Sequence, residues 1–182
     1  RAATNLVEFS SAYKSVALDY LSLCEEVFPG TIFKYSLRNP TSYGVRKCAY
    51  ISVSSKALVD QVEKWGLFPG NSYDRTIPEI IYRCDKSVVA KFLSAYFEGD
   101  GSIYCPTEKT VQIAAHSVNP NLLWELKLIL WEYFGILTSR VFQDGERSHR
   151  FFISGIQSIR VFLSEIGFRT KRKKIIAQLA LE

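Results

Sequence analysis

The order of pattern elements between Leu6 and Leu67 recurs between Val111 and Phe168, and this duplication limits the fold more than any other feature of the sequence. A self-similar period reads as one structural unit used twice. In the first copy a strand-like Leu6–Ser11 leads into a helical pattern through Val16, Leu18, Leu21, Leu23 and Val27, which Phe28-Pro29-Gly30 ends. A hairpin pattern follows, Thr31–Leu37 and Lys47–Ser54 around the turn-rich 38–44, then a helix from Lys56 to Trp65 that stops at Gly66-Leu67. The second copy places a strand at Val111–Ser117 and an amphipathic helix from Asn119 to Phe134, ended by Gly135. Its hairpin, Leu137–Gln143 with Ser148–Ser154, turns at Asp144-Gly145, and its last helix runs from Gly155 to Ile166 before Gly167-Phe168. Tyr50-Ile51-Ser52-Val53-Ser54 answers Phe151-Phe152-Ile153-Ser154, and Trp65-Gly66-Leu67 answers Ile166-Gly167-Phe168. Two such halves imply a pseudo-twofold molecule, a symmetry matched to a roughly twofold target such as duplex DNA.

At 182 residues, 47% of them apolar, the chain is long enough to bury a core. No apolar run approaches the roughly 18–20 residues of a bilayer span, and no secretory signal opens the sequence. These features predict an intracellular protein of cytoplasm, nucleoid or organelle, neither secreted nor membrane-bound. Cys24, Cys48, Cys84 and Cys105 lie far apart without a zinc-ligand spacing, so they read as reduced and mostly buried thiols. The net charge of +5 permits a nucleic-acid partner without requiring one. Trp124 and Trp131, seven apart on one helix face, read as core.

Between the two copies lies Leu93-Ser94-Ala95-Tyr96-Phe97-Glu98-Gly99-Asp100-Gly101, followed by Ser102-Ile103. The nine residues fit the LAGLIDADG pattern position by position, with Ser94-Ala95 for Ala-Gly and Glu98-Gly99-Asp100-Gly101 for Asp-Ala-Asp-Gly. Arg75-Thr76-Ile77-Pro78 is similar to the Lys-x-Ile-Pro segment common before a second such motif. On these residues the sequence resembles LAGLIDADG homing endonucleases, particularly those inserted in inteins, over nearly the whole chain. The resemblance implies an α/β (α+β) fold of two αββαββ-like halves, residues 1–91 and 92–182, with a saddle of antiparallel strands. It also implies site-specific cleavage of double-stranded DNA, over a long recognition site, by metal-dependent hydrolysis.

Small residues in the motif make physical sense. Ser94, Ala95 and Gly99 let two motif helices approach closely, and Gly101 lets the chain turn. Asp100, at the helix end, projects a hard oxygen ligand suited to Mg²⁺, or Mn²⁺, which retains several waters and needs few protein ligands. By resemblance Asp100 is the metal ligand and the Gly99 carbonyl a second one, while Glu98 supports the helix end and interface. The family also places a cation near each scissile phosphate, which here points to Arg75 and to Lys173 or Lys174. Arginine holds phosphate in two-pronged fashion but cannot give up a proton, so Arg75 departs from the usual lysine.

Base readers and phosphate contacts are expected on the hairpins, since a two-stranded ribbon fits the major groove and presents alternate side chains to it. The candidates are Lys34, Arg46 and Lys47 in the first half and Arg140, Gln143, Arg147, His149 and Arg150 in the second, with Lys171 and Arg172 beyond them. His149 and His116 show no metal-ligand spacing. A single motif is expected to need a second, supplied in cis or in trans or by a second copy of the chain. The non-Met start at Arg1 and the spacing of the repeat predict that the first motif helix precedes this sequence, so that this segment alone is inactive or only nicks. No splicing residues are found. The competing reading is a catalytically degenerate relative, acting as a DNA-binding regulator or an intron maturase that assists RNA splicing.

Overall fold

The computed structural model describes residues 6–39, 47–67, 71–107 and 110–179. The chain divides into two compact units, residues 1–64 and 65–182. Each is α+β with an antiparallel sheet, and the described residues form seven strands and six helices.

In the first unit, strand β1 (Leu6–Ser11) precedes helix α1 (Lys14–Val27), then strands β2 (Lys34–Arg38) and β3 (Cys48–Ser54) and helix α2 (Lys56–Lys64). The sheet order is β1-β3-β2, with Phe9 opposite Ile51 and Tyr35 also opposite Ile51. Alternation in β3 buries Ala49, Ile51 and Val53 on one face. Ala17, Tyr20, Leu21 and Cys24 recur at helical spacing on α1, and Ala17 meets Ala49 and Ile51 in a small core. Phe9 stacks on Tyr20, with ring centroids 4.1 Å apart.

The second unit opens with an irregular segment and a short 3₁₀ turn, Glu79–Arg83, before helix α3 (Lys86–Gly99). Strands β4 (Gly101–Thr107) and β5 (Thr110–Ser117), helix α4 (Pro120–Phe134), strands β6 (Phe142–Asp144) and β7 (Ser148–Ile153), and helices α5 (Ile156–Val161) and α6 (Lys171–Leu179) follow. The sheet order is β4-β5-β7-β6, so β5-β7-β6 repeats the first unit's β1-β3-β2. The helices that follow β3 and β7 stop alike, at Gly66 with φ +77° and Gly167 with φ +65°, a left-handed conformation that glycine adopts without steric cost. The duplication legible in the sequence is thus a duplication of topology.

Helix α4 begins at Asn119, whose side chain accepts from the Asn121 N–H, with Pro120 in the first turn. It buries Leu122, Leu123, Leu126, Ile129, Leu130 and Phe134 against the sheet face that carries Ile113, Ala115, Phe151 and Ile153. Trp124 and Trp131 share a face, as their spacing requires, but it is the opposite one: they are 53% and 56% exposed, beside Leu128 at 55%. The expectation that they are core is therefore corrected. This helix carries more apolar residues than one buried stripe can hold.

Three other sequence expectations change. Strand β6 is shorter than Leu137–Gln143, because Ser139 interrupts the ladder: its N–H donates to Phe152 O (2.7 Å) while its hydroxyl accepts from the Phe152 N–H (2.9 Å). The last predicted helix gives way from Phe162 to Ile166 to a π-turn, closed by Gly167 N–H on Phe162 O. Among the four free cysteines only Cys24 is buried, and Cys105 is exposed.

Candidate functional site

Helix α3 carries the motif, and its end is where the chemistry-bearing side chains gather. Val89, Leu93 and Phe97 point into the core, Phe97 meeting Phe162 edge-on at 4.8 Å. The backbone then passes directly from α3 into β4 through Asp100, whose N–H still donates to Tyr96 O (2.8 Å) and whose carbonyl accepts from His116 N–H (3.0 Å). Asp100 is thus tied to both the helix end and strand β5. Gly101 is required by contact, not by an unusual φ: a Cβ there would lie 2.6 Å from Phe97 O and 2.7 Å from Phe97 Cα. The sequence reading of Gly101 as a turn residue is replaced by this close approach.

Around the Asp100 carboxylate stand three cations or potential cations. Asp100 is exposed as a residue, yet partial desolvation of its carboxyl raises the pKa, and Arg75, His116 and Lys173 pull it back down without cancelling the rise. None of the described residues donates a hydrogen bond to this carboxylate. Arg75, exposed itself, is moored from both sides: its carbonyl accepts from Asn119 Nδ2 (2.7 Å), and Ile77 N–H donates to Glu125 Oε2 (2.7 Å). These bonds explain why an Arg-x-Ile-Pro segment outside regular structure has a fixed place in the second unit.

The sequence assigned no site role to Tyr96, and it offered His116 only as a residue without metal-ligand spacing. Tyr96 donates its hydroxyl proton to His116 O (2.8 Å), and the His116 ring Nε2 lies 3.2 Å from Ser102 Oγ. Burial, with Arg150 next, lowers the His116 pKa. Across the sheet His116 pairs with Arg150 and Arg150 with Phe142, so one row runs from the end of the motif to the far strand. This row lies on the face turned away from the core, with Ser102, Tyr104, Gln112 and Phe152. A strand directly after the motif, with Ser102 and Tyr104 alternating with Ile103, was the available signal for them.

The other candidates are distributed as follows. Arg150 rests on Phe142 and Phe152, its guanidinium 5.3 and 5.0 Å from the ring centroids, and pairs with Asp144 at 3.2 Å. Gln143 and His149 form a register pair on the other face, in line with Phe151. Arg140 is exposed, and Arg147 is exposed in the Gly145–Arg147 turn. Lys34, at the start of β2, and Lys47, just before β3, are exposed on the first unit. Arg46 lies outside the described residues. Lys171, Arg172 and Lys174 are exposed on α6.

Two motif side chains, Ser94 and Glu98, and the more distant Lys173 have partners that the sequence did not reveal. Ser94 is buried and donates its hydroxyl to Gly167 O (3.1 Å), so it faces its own unit, whereas Ala95 and Gly99 lie on the open side of α3. Glu98 accepts the N–H groups of Arg169 (2.9 Å) and Thr170 (3.0 Å) and the Thr170 hydroxyl (2.8 Å). Lys173 directs its ammonium at the carbonyls of Phe97 and Glu98 (2.7 Å each) and Gly101 (2.8 Å), with Glu98 Oε1 3.8 Å away. Gly99, whose carbonyl was expected to ligate metal, is not among the carbonyls that Lys173 takes.

Comparison with known proteins accords with this geometry. Residues 87–167 match the model of the LAGLIDADG-like domain. The chain is 27% identical, over 97% of its length, to 10% of a DNA polymerase II large subunit from Thermococcus kodakarensis. It is 29% identical, over 65% of its length, to 22% of a DNA gyrase chain from Mycobacterium kansasii. It therefore spans less than a quarter of these curated relatives. Among solved structures, it superimposes with a TM-score of 0.63 on DUF199/WhiA from Thermatoga maritima (15% identity, 96% of this chain and 51% of that one). The homing endonuclease I-WcaI bound to its DNA recognition sequence gives the same score (13% identity, 94% and 74%). I-DmoI in complex with DNA and Mn gives 0.59 (14% identity, 89% and 80%). With the motif at the end of α3 and this fold around it, residues 87–167 of the chain are a LAGLIDADG-like domain.

Proposed function

We propose that this chain is the DNA-binding and DNA-cleaving part of a homing endonuclease that hydrolyses double-stranded DNA with the help of a divalent metal. The observation that carries the reading is Asp100: its backbone is tied to the helix end and to β5, and its carboxylate has no hydrogen-bond donor among the described residues and lies within the electrostatic reach of Arg75. A second support is that the relatives include a polymerase, a gyrase and an aminotransferase, the last matched over 94% of this chain but 15% of its own length. Proteins with such different names share this one segment, as expected of an element inserted into unrelated hosts, the intein type among them.

The donor set fits Mg²⁺ or Mn²⁺. Among the described residues no cluster of three His, Cys, Asp or Glu could cage an ion. A single carboxylate suits a cation that keeps waters and completes its shell with phosphate oxygens. Asp100 would hold it, with the Gly99 carbonyl as a second ligand, and the bound ion would supply Lewis acidity to the phosphodiester and to an attacking water. Arg75 offers a fixed positive charge for the phosphate, and Lys174 a mobile one. The outward face of the second unit's sheet offers Arg150, Gln112 and Tyr104 to a groove, while Lys34, Lys47, Arg140, Arg147, Lys171 and Arg172 offer contacts to the backbone phosphates. Ala95 and Gly99 on the open side of α3 leave room for a second motif helix, in cis or in trans or from another copy.

Asp100→Asn tests the assignment. In the complete enzyme it should abolish cleavage of at least one strand and leave duplex binding unchanged. Wild-type double-strand cleavage by the variant would remove Asp100 from the chemistry. Binding without cleavage by the wild-type protein itself would favour the degenerate, regulatory or maturase reading.

A further inference from the structure

Lys173 was expected to stand beside a phosphate, yet its surroundings assign it differently. An ammonium group has three protons to donate. All three have partners at 2.7–2.8 Å, the carbonyls of Phe97, Glu98 and Gly101, and the side chain is only 16% exposed. Those carbonyls bracket Asp100. They include two of the groups that a helix C-terminus leaves without intrahelical partners. The same place carries a second device running the other way. Glu98, with a side chain only 5% exposed, accepts two backbone N–H groups and a hydroxyl from Arg169 and Thr170, just before α6. Helix α6 thus supplies the cation that caps the end of α3, and α3 supplies the anion that caps the start of α6. Each charge also lies where the helix dipole favours it, positive at a C-terminus and negative at an N-terminus.

We propose that Lys173 and Glu98 are a pair of positioning residues, whose reciprocal capping of α3 and α6 holds the Asp100 carboxylate in its metal-binding orientation. Lys173 then does not touch the phosphate, and the fixed cation at this site is Arg75. Replacing Lys173 would leave the carbonyls of Phe97, Glu98 and Gly101 without their donor and free the Phe97–Gly101 segment to reorient. The metal-binding half of this proposal rests on the nuclease reading; the capping half does not.

Two measurements on the chain keep those halves apart. Amide hydrogen exchange reports the capping, and Mn²⁺ binding followed by electron paramagnetic resonance reports the orientation of Asp100, with Asp100→Asn as the blank. In Lys173→Met, exchange across Phe97–Ser102 should rise by about tenfold or more while the amides of α4 keep their protection. Mn²⁺ affinity should fall by about tenfold, the usual effect of removing a group that orients a metal ligand. Lys173→Arg, which retains the charge but not the compact three-way donor, should restore part of both. Unchanged exchange in Lys173→Met would overturn the capping role, and undiminished Mn²⁺ affinity would overturn the positioning role. Should the wild-type chain bind no Mn²⁺ while the exchange result holds, the metal reading fails and the capping stands. If Lys173→Met does not fold, Glu98→Gln, which keeps an acceptor oxygen but removes the charge, carries the same two readouts with the same expected directions.

Discussion

The two glycines that flank Asp100 have opposite requirements. A Cβ on Gly99 would meet nothing within 4 Å, whereas one on Gly101 would collide with the Phe97 backbone. Gly101→Ala should therefore destabilise the second unit by about 1–3 kcal/mol, because a close-packed backbone must shift. Gly99→Ala should be neutral or stabilising by about 0.5–1 kcal/mol, since alanine suits a helix better. Urea melts of both variants check the contrast, and equal destabilisation would contradict it. Asp100 itself should be a small liability for folding, since the residue is exposed and solvent screens much of the cost. Its pKa is raised in the folded chain, so the folded state binds that proton more tightly than the unfolded state does. The resulting cost is absent below the ordinary carboxylate range and complete once the pH exceeds the raised value. Asp100→Asn should then melt at a higher temperature than wild type at pH 7, with the difference shrinking as the pH falls towards about 4. A lower melting temperature at pH 7 would contradict the burial argument. A site residue kept at the expense of stability is what a functional carboxylate predicts.

At the scale of elements, the sequence disclosed what local rules govern and concealed what packing decides. Glycine stops after α2 and before α6, the Asn119 cap of α4 and the alternation of β3 are local, and each stands where the pattern put it. The repeated sheet order followed from the repeated element order. Strand β4 was harder to see: Cys105 and Pro106 blur its alternation after Ile103, and they hide the face bearing Tyr104 and Gln112. The partners of Lys173 could not be read from sequence, since its carbonyl acceptors lie more than seventy residues away. Trp124 and Trp131 show a third limit: spacing says that two residues share a face, not which face. Their exposure predicts strong acrylamide quenching of fluorescence in the isolated chain, diminished in Trp124→Phe and Trp131→Phe. Emission shielded from quencher at micromolar chain concentration would mean that this stripe is covered.

For the molecule as a whole, no helix among the described residues is long and apolar enough to cross a membrane. The net charge of +5 is not spread evenly: α4 carries Glu125, Lys127 and Glu132, whereas α6 opens with four successive basic residues, Lys171 to Lys174. With Lys173 turned inward, the remaining three are exposed on one short helix near the end of the motif. That asymmetry agrees with a polyanion approaching the motif end rather than the tryptophan stripe. The central claim is metal-dependent cleavage of duplex DNA, and one assay addresses it most directly. The product of the whole gene that encodes this chain is incubated with a plasmid bearing that locus without the coding sequence for residues 1–182, with Mg²⁺ or with EDTA, and the ends are mapped. Cuts at one defined locus on both strands, in Mg²⁺ only, are the predicted result. An intact plasmid under both conditions, or cleavage that persists in EDTA, would contradict the account.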